Sequence, residues 1–482
     1  MSDTVRINKI DDFTWEIPKT GSMQVPGKVY ASDAMMKVIR QDQSLQQVAN
    51  VAHLPGIVKQ SLAMPDIHWG YGFPIGGVCA TDEHEGVISP GGVGYDINCG
   101  VRLVGTKLKH ADIAPRMKAL VKGLFDNVPT GVGASKAIEK LSRDELKKVA
   151  REGAGWAVKR GFGSKSDLDR IEENGCIQDA DPGAVDNRPW ERGAEQVGTL
   201  GSGNHFLEIG RVEEIYNNEA ARAFGLEEDG IVVLIHCGSR GFGYQICDDY
   251  LKVTLKATEK YNISLPDRQL ACAPLKSSEG KSYIGAMRCA ANYAFANRQV
   301  IMSLANDAFR DALAVSESDV GFNLIYDICH NIAKYETHCV DGEDRRVCMH
   351  RKGATRAFGP DSAHIPDAYK PHGQPVLIPG DMGRYSYLCV GTERAMEETF
   401  GSSCHGAGRH MSRRKAMKAS KGRDMIQELN DAGVEIMATG KRTIAEEMPH
   451  AYKDVADVVD VMHNAGITRK VARFKPVGVI KG

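Results

Sequence analysis

Five histidines in this chain stand where a short β-like or turn segment meets glycine or another small or polar residue. They are His205 in GSGNHFLE, His236 in IVVLIHCGSRG, His330 in NLIYDICHNIAKYE, His350 in RVCMHRKGATR and His405 in SSCHGAGR. The turn PGGVGYDINCG adds Asp96 and Cys99, three residues apart. Imidazole, thiolate and carboxylate together make a ligand set for a divalent transition metal, the carboxylate tilting it toward harder ions. A thiolate can also bridge two ions, as a two-metal centre for phosphoryl chemistry would use. A single buried His or Cys is more often packing than ligation, so the argument rests on the repeated placement.

A basic run follows the last histidine. GAGRHMSRRKAMKASKGR carries Arg409, Arg413, Arg414, Lys415, Lys418, Lys421 and Arg423, with no acidic residue before Asp424. A helix starting near Gly408 would aim its amide end at His405 and favour phosphate. HRKGATR adds Arg351, Lys352 and Arg356. Charge runs commonly form solvated faces, but this one adjoins the glycine–histidine turn, which favours phosphate binding. There is no Walker A pattern, no Gly-x-Gly-x-x-Gly fingerprint, no Lys-x-Asp-Gly ligase signature and no Gly-x-Ser-x-Gly elbow. The residues therefore point to metal-dependent phosphoryl transfer on a phosphate-rich substrate.

Such side chains need a scaffold that fixes strand ends, with glycines letting the backbone bend there. Short β-like runs occur at 231–235, 322–328, 346–349, 375–378 and 386–390. Helical patterns cover 31–50, 111–128, 135–159 and 286–315, and Tyr452, Val455, Val459 and Met462 mark another helix. Strands and helices mix without strict alternation and no linker cuts the chain. The expected fold is α+β, one large domain over 1–482 with a β-sheet core flanked by helices; 161–195 reads as a long polar loop or lid. Lys+Arg (61) and Asp+Glu (62) nearly cancel, so any RNA site must be a local basic patch. Twelve cysteines without a Cys-x-x-Cys, no signal peptide and no apolar run long enough for a bilayer indicate a reducing, cytoplasmic setting without membrane contact.

The segments PGGVGYDINCGVRL, GSGNHFLE, HCGSRG, YDICHNIAK, HRKGATRAF, PGDMGRYSYL, CHGAGR, EEMPHAYKDV and PVGVIKG, in this order from about residue 60 to the C-terminus, resemble the RtcB family of RNA-splicing ligases. Length and ending are closer to its archaeal and eukaryotic members. The resemblance implies that Asp96, Cys99, His205, His236 and His330 hold two manganese ions, with Cys99 bridging, and that His405 accepts GMP from GTP. It implies a guanylate pocket of Asn204, His205, Phe206, Leu207, Glu208, His330, Asn331, Pro379, Gly380, Asp381, Met382, Ser386, His405, Gly406, Ala407, Gly408, Tyr452 and Lys481, with Tyr452 stacking near the base. Asp66 is a candidate for activating the RNA hydroxyl. The implied reaction joins an RNA 3′-phosphate or 2′,3′-cyclic phosphate end to a 5′-hydroxyl end, in tRNA splicing or RNA repair. The chain is expected to be a monomer, and the resemblance suggests an archease-type activator. The rival readings are a metal-dependent RNA cyclic phosphodiesterase without ligase activity and a non-enzymatic RNA-binding assembly factor.

Overall fold

The computed structural model describes residues 5–482. It is an α+β fold in which two large, mostly antiparallel sheets meet. The first orders its strands as Asn8–Lys9, Thr14–Ile17, Gly27–Tyr30, Ser61–His68, Ile75–Asp82, Glu343–Lys352 and Asn331–Val340. The second runs Asn323–Cys329, Gly100–Lys109, Gly230–Cys237, Phe206–Ile215, Thr468–Lys481, Ser386–Gly391 and Pro375–Ile378, with Glu435–Ala438 parallel to Thr468–Lys481. Gly230–Cys237 (GIVVLIHC) is buried along its whole length, as a β-branched run covered on both faces must be. The β-like runs of the sequence fall within these strands except at Phe322, which precedes Asn323–Cys329.

Register explains how scattered residues gather. Cys329 pairs with Gly100, Gly100 with Cys237, and His236 with Phe206. Adjacent antiparallel strands thus bring one strand's end beside the next strand's start. Residues 330, 99, 236 and 205 consequently line one end of four neighbouring strands. His330 has a second distinction: it is the single residue between Cys329 in one sheet and Asn331 in the other. A short pair, Ala354–Arg356 with Ser402–Cys404, lies at the same junction and delivers His405.

Behind these strand ends runs a 36-residue helix, Ser278–Leu313, begun by the Ser277 hydroxyl accepting from the Gly280 N–H. Its Arg298 donates to the Asn98 and Cys237 carbonyls at 2.8 and 2.9 Å. Arg298 also pairs with Asp327 at 2.7 Å, and Arg102 reaches the same carboxylate at 2.8 Å. All three side chains are fully buried. Burial works to raise the Asp327 carboxyl, but the two guanidinium groups hold it below the usual carboxylate range. The stabilisation is therefore present at neutral pH and is lost only in acid, as pH falls through the depressed value. Asp327→Asn leaves two guanidinium groups buried without a counter-charge, so a loss of about 3–5 kcal/mol is expected in chemical denaturation. A change below about 1 kcal/mol would refute this account of the brace.

Helix boundaries differ from the sequence pattern where local chemistry intervenes. The 31–50 pattern forms two helices, Asp33–Ile39 and Ser44–Val51, separated where Asp42 accepts from the Ser44 N–H. The 135–159 pattern yields Arg143–Glu152 and Ala154–Lys159, broken at Gly153, whose φ is +56°. Over 161–195, read as a loop or lid, the chain forms the helices Lys165–Leu168 and Asn187–Gly193 and two 3-10 turns. Glu172 in this stretch is buried and accepts from the Cys329 N–H at 2.8 Å, directly behind His330.

Candidate metal and nucleotide site

At the shared strand ends the side chains converge. Cys99 Sγ lies 3.4 Å from His205 Nε2 and 3.3 Å from His236 Nε2. His205 Nε2 is 2.7 Å from Asp96 Oδ2, and His236 Nε2 is 3.3 Å from His330 Nε2. Two triplets result, Asp96–Cys99–His205 and Cys99–His236–His330, and Cys99 belongs to both. The donor set fits metal ions on chemical grounds. His205 gives its Nδ1 proton to the Leu200 carbonyl at 2.9 Å, which leaves Nε2 with a lone pair facing Asp96 and Cys99. Without a cation, burial first and Asp96 second push the Cys99 thiol up to about 12. A coordinated divalent ion supplies the charge that makes the thiolate favourable. Asp96 is fixed by the Ser239 N–H at 3.0 Å, and Gly238 lets the backbone pass there, since a Cβ on it would stand 2.4 Å from that carboxylate.

Beside the triplets stands His405, its ring centroid 4.8 Å from that of His330. Its Nδ1 donates to Asp66 Oδ2 at 2.6 Å, and its backbone N–H meets the same oxygen at 3.1 Å. In a neutral ring, donation from Nδ1 puts the lone pair on Nε2, the atom that could act as a nucleophile. Asp66 is fully buried beneath the imidazole. Gly408 packs against the Asp66 carbonyl with φ +70°, where a Cβ would come within 2.2 Å. That left-handed turn also explains why no helix starts near Gly408: the helix is Arg413–Ala419, begun by Ser412.

A cleft of about 350 Å³ opens over His405, His236 and His330. Of the residues expected around a guanylate, Asn204, Phe206, Glu208, Asn331, the turn Pro379–Met382, Gly406, Ala407, Gly408, Tyr452 and Lys481 line it. Ser386 lies behind the wall and donates to Glu208 at 3.1 Å. The Leu207 side chain does not line the cleft: as the next residue along a strand from Phe206 it faces the opposite side, buried in apolar core with Val233 and Ile235. His205 likewise turns to the metal triplet and does not line the cleft. Tyr452 gives its hydroxyl proton to Glu447, and the Arg409 guanidinium lies 5.0 Å over its ring.

Three other readings need revision. His350 is buried away from the triplets, where its Nε2 accepts from the Ser89 N–H at 3.2 Å and its ring stacks on Phe73. Arg351 is consumed by Glu336 at 2.6 Å, and Arg356 by Glu173 at 2.8 Å, so neither is free for phosphate. Lys352 does line the cleft; its ammonium donates to the Tyr71 and Phe73 carbonyls, and burial pushes it down to about 7. Tyr71, Tyr95 and Glu447 are lining residues that the sequence reading missed. Tyr95 immediately precedes Asp96, a position that could have flagged it.

Glu208 carries a pH signature. Burial pushes its carboxyl up to about 8, against the lowering effect of the Ser386 hydrogen bond. An acid whose folded value is raised binds more protons folded than unfolded. Stability is therefore expected to fall as pH rises from the ordinary glutamate range to about 8 and then level off. Glu208→Gln should flatten that decline in thermal melts taken across the interval; an unchanged slope would assign it to another group.

An imidazole held by a carboxylate, two triplets that could hold metal ions and a cleft beside them are together an arrangement suited to phosphoryl transfer. The comparison with known proteins makes this specific: residues 47–482 match the family model described as tRNA-splicing ligase RtcB. Over 478 residues the chain is 52% identical to the tRNA-splicing ligase RtcB of Methanococcus maripaludis, covering 99% of both chains. It is 51% identical to that of Thermococcus kodakarensis over 483 residues and the whole of both chains. It is 48% identical to the RNA-splicing ligase RtcB homolog 1 of Entamoeba histolytica, over 91% of this chain and 83% of that one. The chain belongs to the RtcB ligase family.

Proposed function

We propose that this protein is a GTP- and manganese-dependent RNA ligase that joins an RNA 3′-phosphate end to a 5′-hydroxyl end through a guanylyl group on His405. The observation that carries the reading is His405 itself, held by Asp66 through Nδ1 and standing next to a metal-ligand histidine on the wall of a nucleotide-sized cleft. The relatives named above are RNA- or tRNA-splicing ligases, which supports the substrate class.

Asp96, Cys99, His205, His236 and His330 would hold the ions, which would neutralise charge on phosphate oxygens. The cleft binds GTP, with Asn204, Glu208 and Tyr452 on the wall that faces the nucleotide. His405 Nε2 forms a bond to the α-phosphorus as the bond to pyrophosphate breaks. Asp66, hydrogen-bonded at Nδ1, offsets the charge that develops on the ring and acts as a positioning group rather than as a base for the RNA hydroxyl. An RNA 3′-phosphate oxygen then takes the guanylyl group from His405, and the 5′-hydroxyl oxygen attacks the RNA phosphorus, losing its proton and releasing GMP. Arg409 and Arg413 also line the cleft, both paired with the buried Glu447 at 3.0 and 3.3 Å.

The test is incubation of the protein with manganese and α-labelled GTP, then with RNA bearing the two end types. A protein-bound label that is acid-labile and alkali-stable, chased into joined RNA, is expected. An unlabelled protein that only opens cyclic phosphates would replace this reading with the phosphodiesterase. Neutralising Arg413 and Arg414 together is expected to weaken RNA binding and lower its salt dependence by about one to two ions. An unaltered salt slope would make the run solvated surface.

A further inference from the structure

The rim of the cleft carries aromatic surface that the guanylyl chemistry leaves unused. Tyr71 and Tyr95 line the cleft, with ring centroids 6.0 Å apart, edge to face. Tyr95 in turn stacks on Tyr244 at 4.9 Å with 26° between the ring planes. Tyr244 is 47% exposed, and the guanidinium of the exposed Arg192 lies 5.2 Å over its ring. Trp69, between the cleft residues His68 and Tyr71, is 60% exposed. A tryptophan and a tyrosine so exposed cost hydration free energy unless something covers them.

We propose that Trp69 and the Tyr95–Tyr244–Arg192 ladder form a stacking platform for unpaired nucleobases of an RNA strand whose end enters the cleft. The inference rests on the RNA-ligase reading and adds where the strand runs. Two observations favour nucleic acid as the occupant. The ladder is continuous with the cleft through Tyr95, next to the metal-ligand candidate Asp96. Its outermost member is a cation, the Arg192 guanidinium, which also donates to the Gln245 amide oxygen at 3.0 Å. Flat faces in series beside cationic groups suit single-stranded bases of any sequence. A base takes the outer face of Tyr244 while Arg192, on a flexible chain, turns to a phosphate.

Trp69 is a built-in probe. The other three tryptophans, Trp15, Trp156 and Trp190, are 8% exposed or less, so quenching by added RNA reports position 69. Short RNAs ending in a 3′-phosphate or a 5′-hydroxyl, each with intact or abasic terminal nucleotides, are titrated into wild type, Trp69→Ala, Tyr244→Ala and Tyr244→Phe. Quenching is expected with intact ends. About tenfold weaker RNA binding and a matching rise in KM for RNA are expected in the two alanine variants, with Tyr244→Phe near wild type. Abasic substitution at one or both ends should cost wild type a similar factor and cost the alanine variants little more. Labelling by GTP serves as the control for folding. Unchanged affinity in both alanine variants, or abasic ends that bind as well as intact ones, overturns the platform. Failure of wild type to take label from GTP overturns the ligase reading instead, because quenching is read without any joining.

Discussion

Replacing His405 with Ala is expected to abolish transfer of label from GTP to the protein while leaving bound metal unchanged. His405 belongs to neither ligand triplet, so the two readouts separate. The fall should reach background, because removing a nucleophile deletes the covalent step itself. Asp66→Asn is the sharper companion. The amide can occupy the same space, yet its NH₂ group donates where the carboxylate accepted and so favours the tautomer with the proton on Nε2. In a comparable Asp–His arrangement that change costs roughly 10⁴ in rate. A loss of similar order in labelling, with little change in KM for GTP, would mark Asp66 as the residue that orients the nucleophile. Persistent labelling of His405→Ala would move the nucleophile elsewhere; full activity of Asp66→Asn would free Asp66 for another role.

Whether a site residue could be read from sequence followed the distance to its partner. Asp96 and Cys99 are fixed by one turn, in which the Cys99 N–H donates to the Asp96 carbonyl, so a local motif carries both. The candidate histidine ligands sit at ends of β-like runs, and antiparallel register does the rest. His350 has the same local signature, but its outcome was decided by Ser89, 261 residues away. Arg351 and Arg356 looked like phosphate ligands because HRKGATR shows neither partner: Glu336 faces Arg351 across a hairpin, 15 residues away, and Glu173 is 183 residues from Arg356. Asp66 lies 339 residues from His405, and nothing in MPDIH says which atom it meets. Leu207 is a simpler lesson: a motif names consecutive residues, whereas a strand sends alternate ones to opposite faces. The α+β mixture was legible from periodicity, but the pairing of two sheets at His330 was not, since no single segment encodes it.

That pairing gives the metal centre its sharpest prediction. Cys99 is common to both triplets, whereas Asp96 and His330 each belong to one. Elemental analysis after dialysis in manganese should therefore give a graded result. Asp96→Ala strips a ligand from the site it shares with His205 and should leave the Cys99–His236–His330 site able to hold an ion. His330→Ala should do the converse. Cys99→Ala leaves each site two protein ligands and should bring bound metal close to zero, with labelling by GTP lost in parallel. The Cys99 side chain is a small buried group between imidazoles, and its removal cuts no buried ion pair, so the variant is expected to fold; circular dichroism checks this. If Cys99→Ala retained as much metal as Asp96→Ala, the thiolate would serve one ion only. The two triplets would then be separate sites that happen to touch.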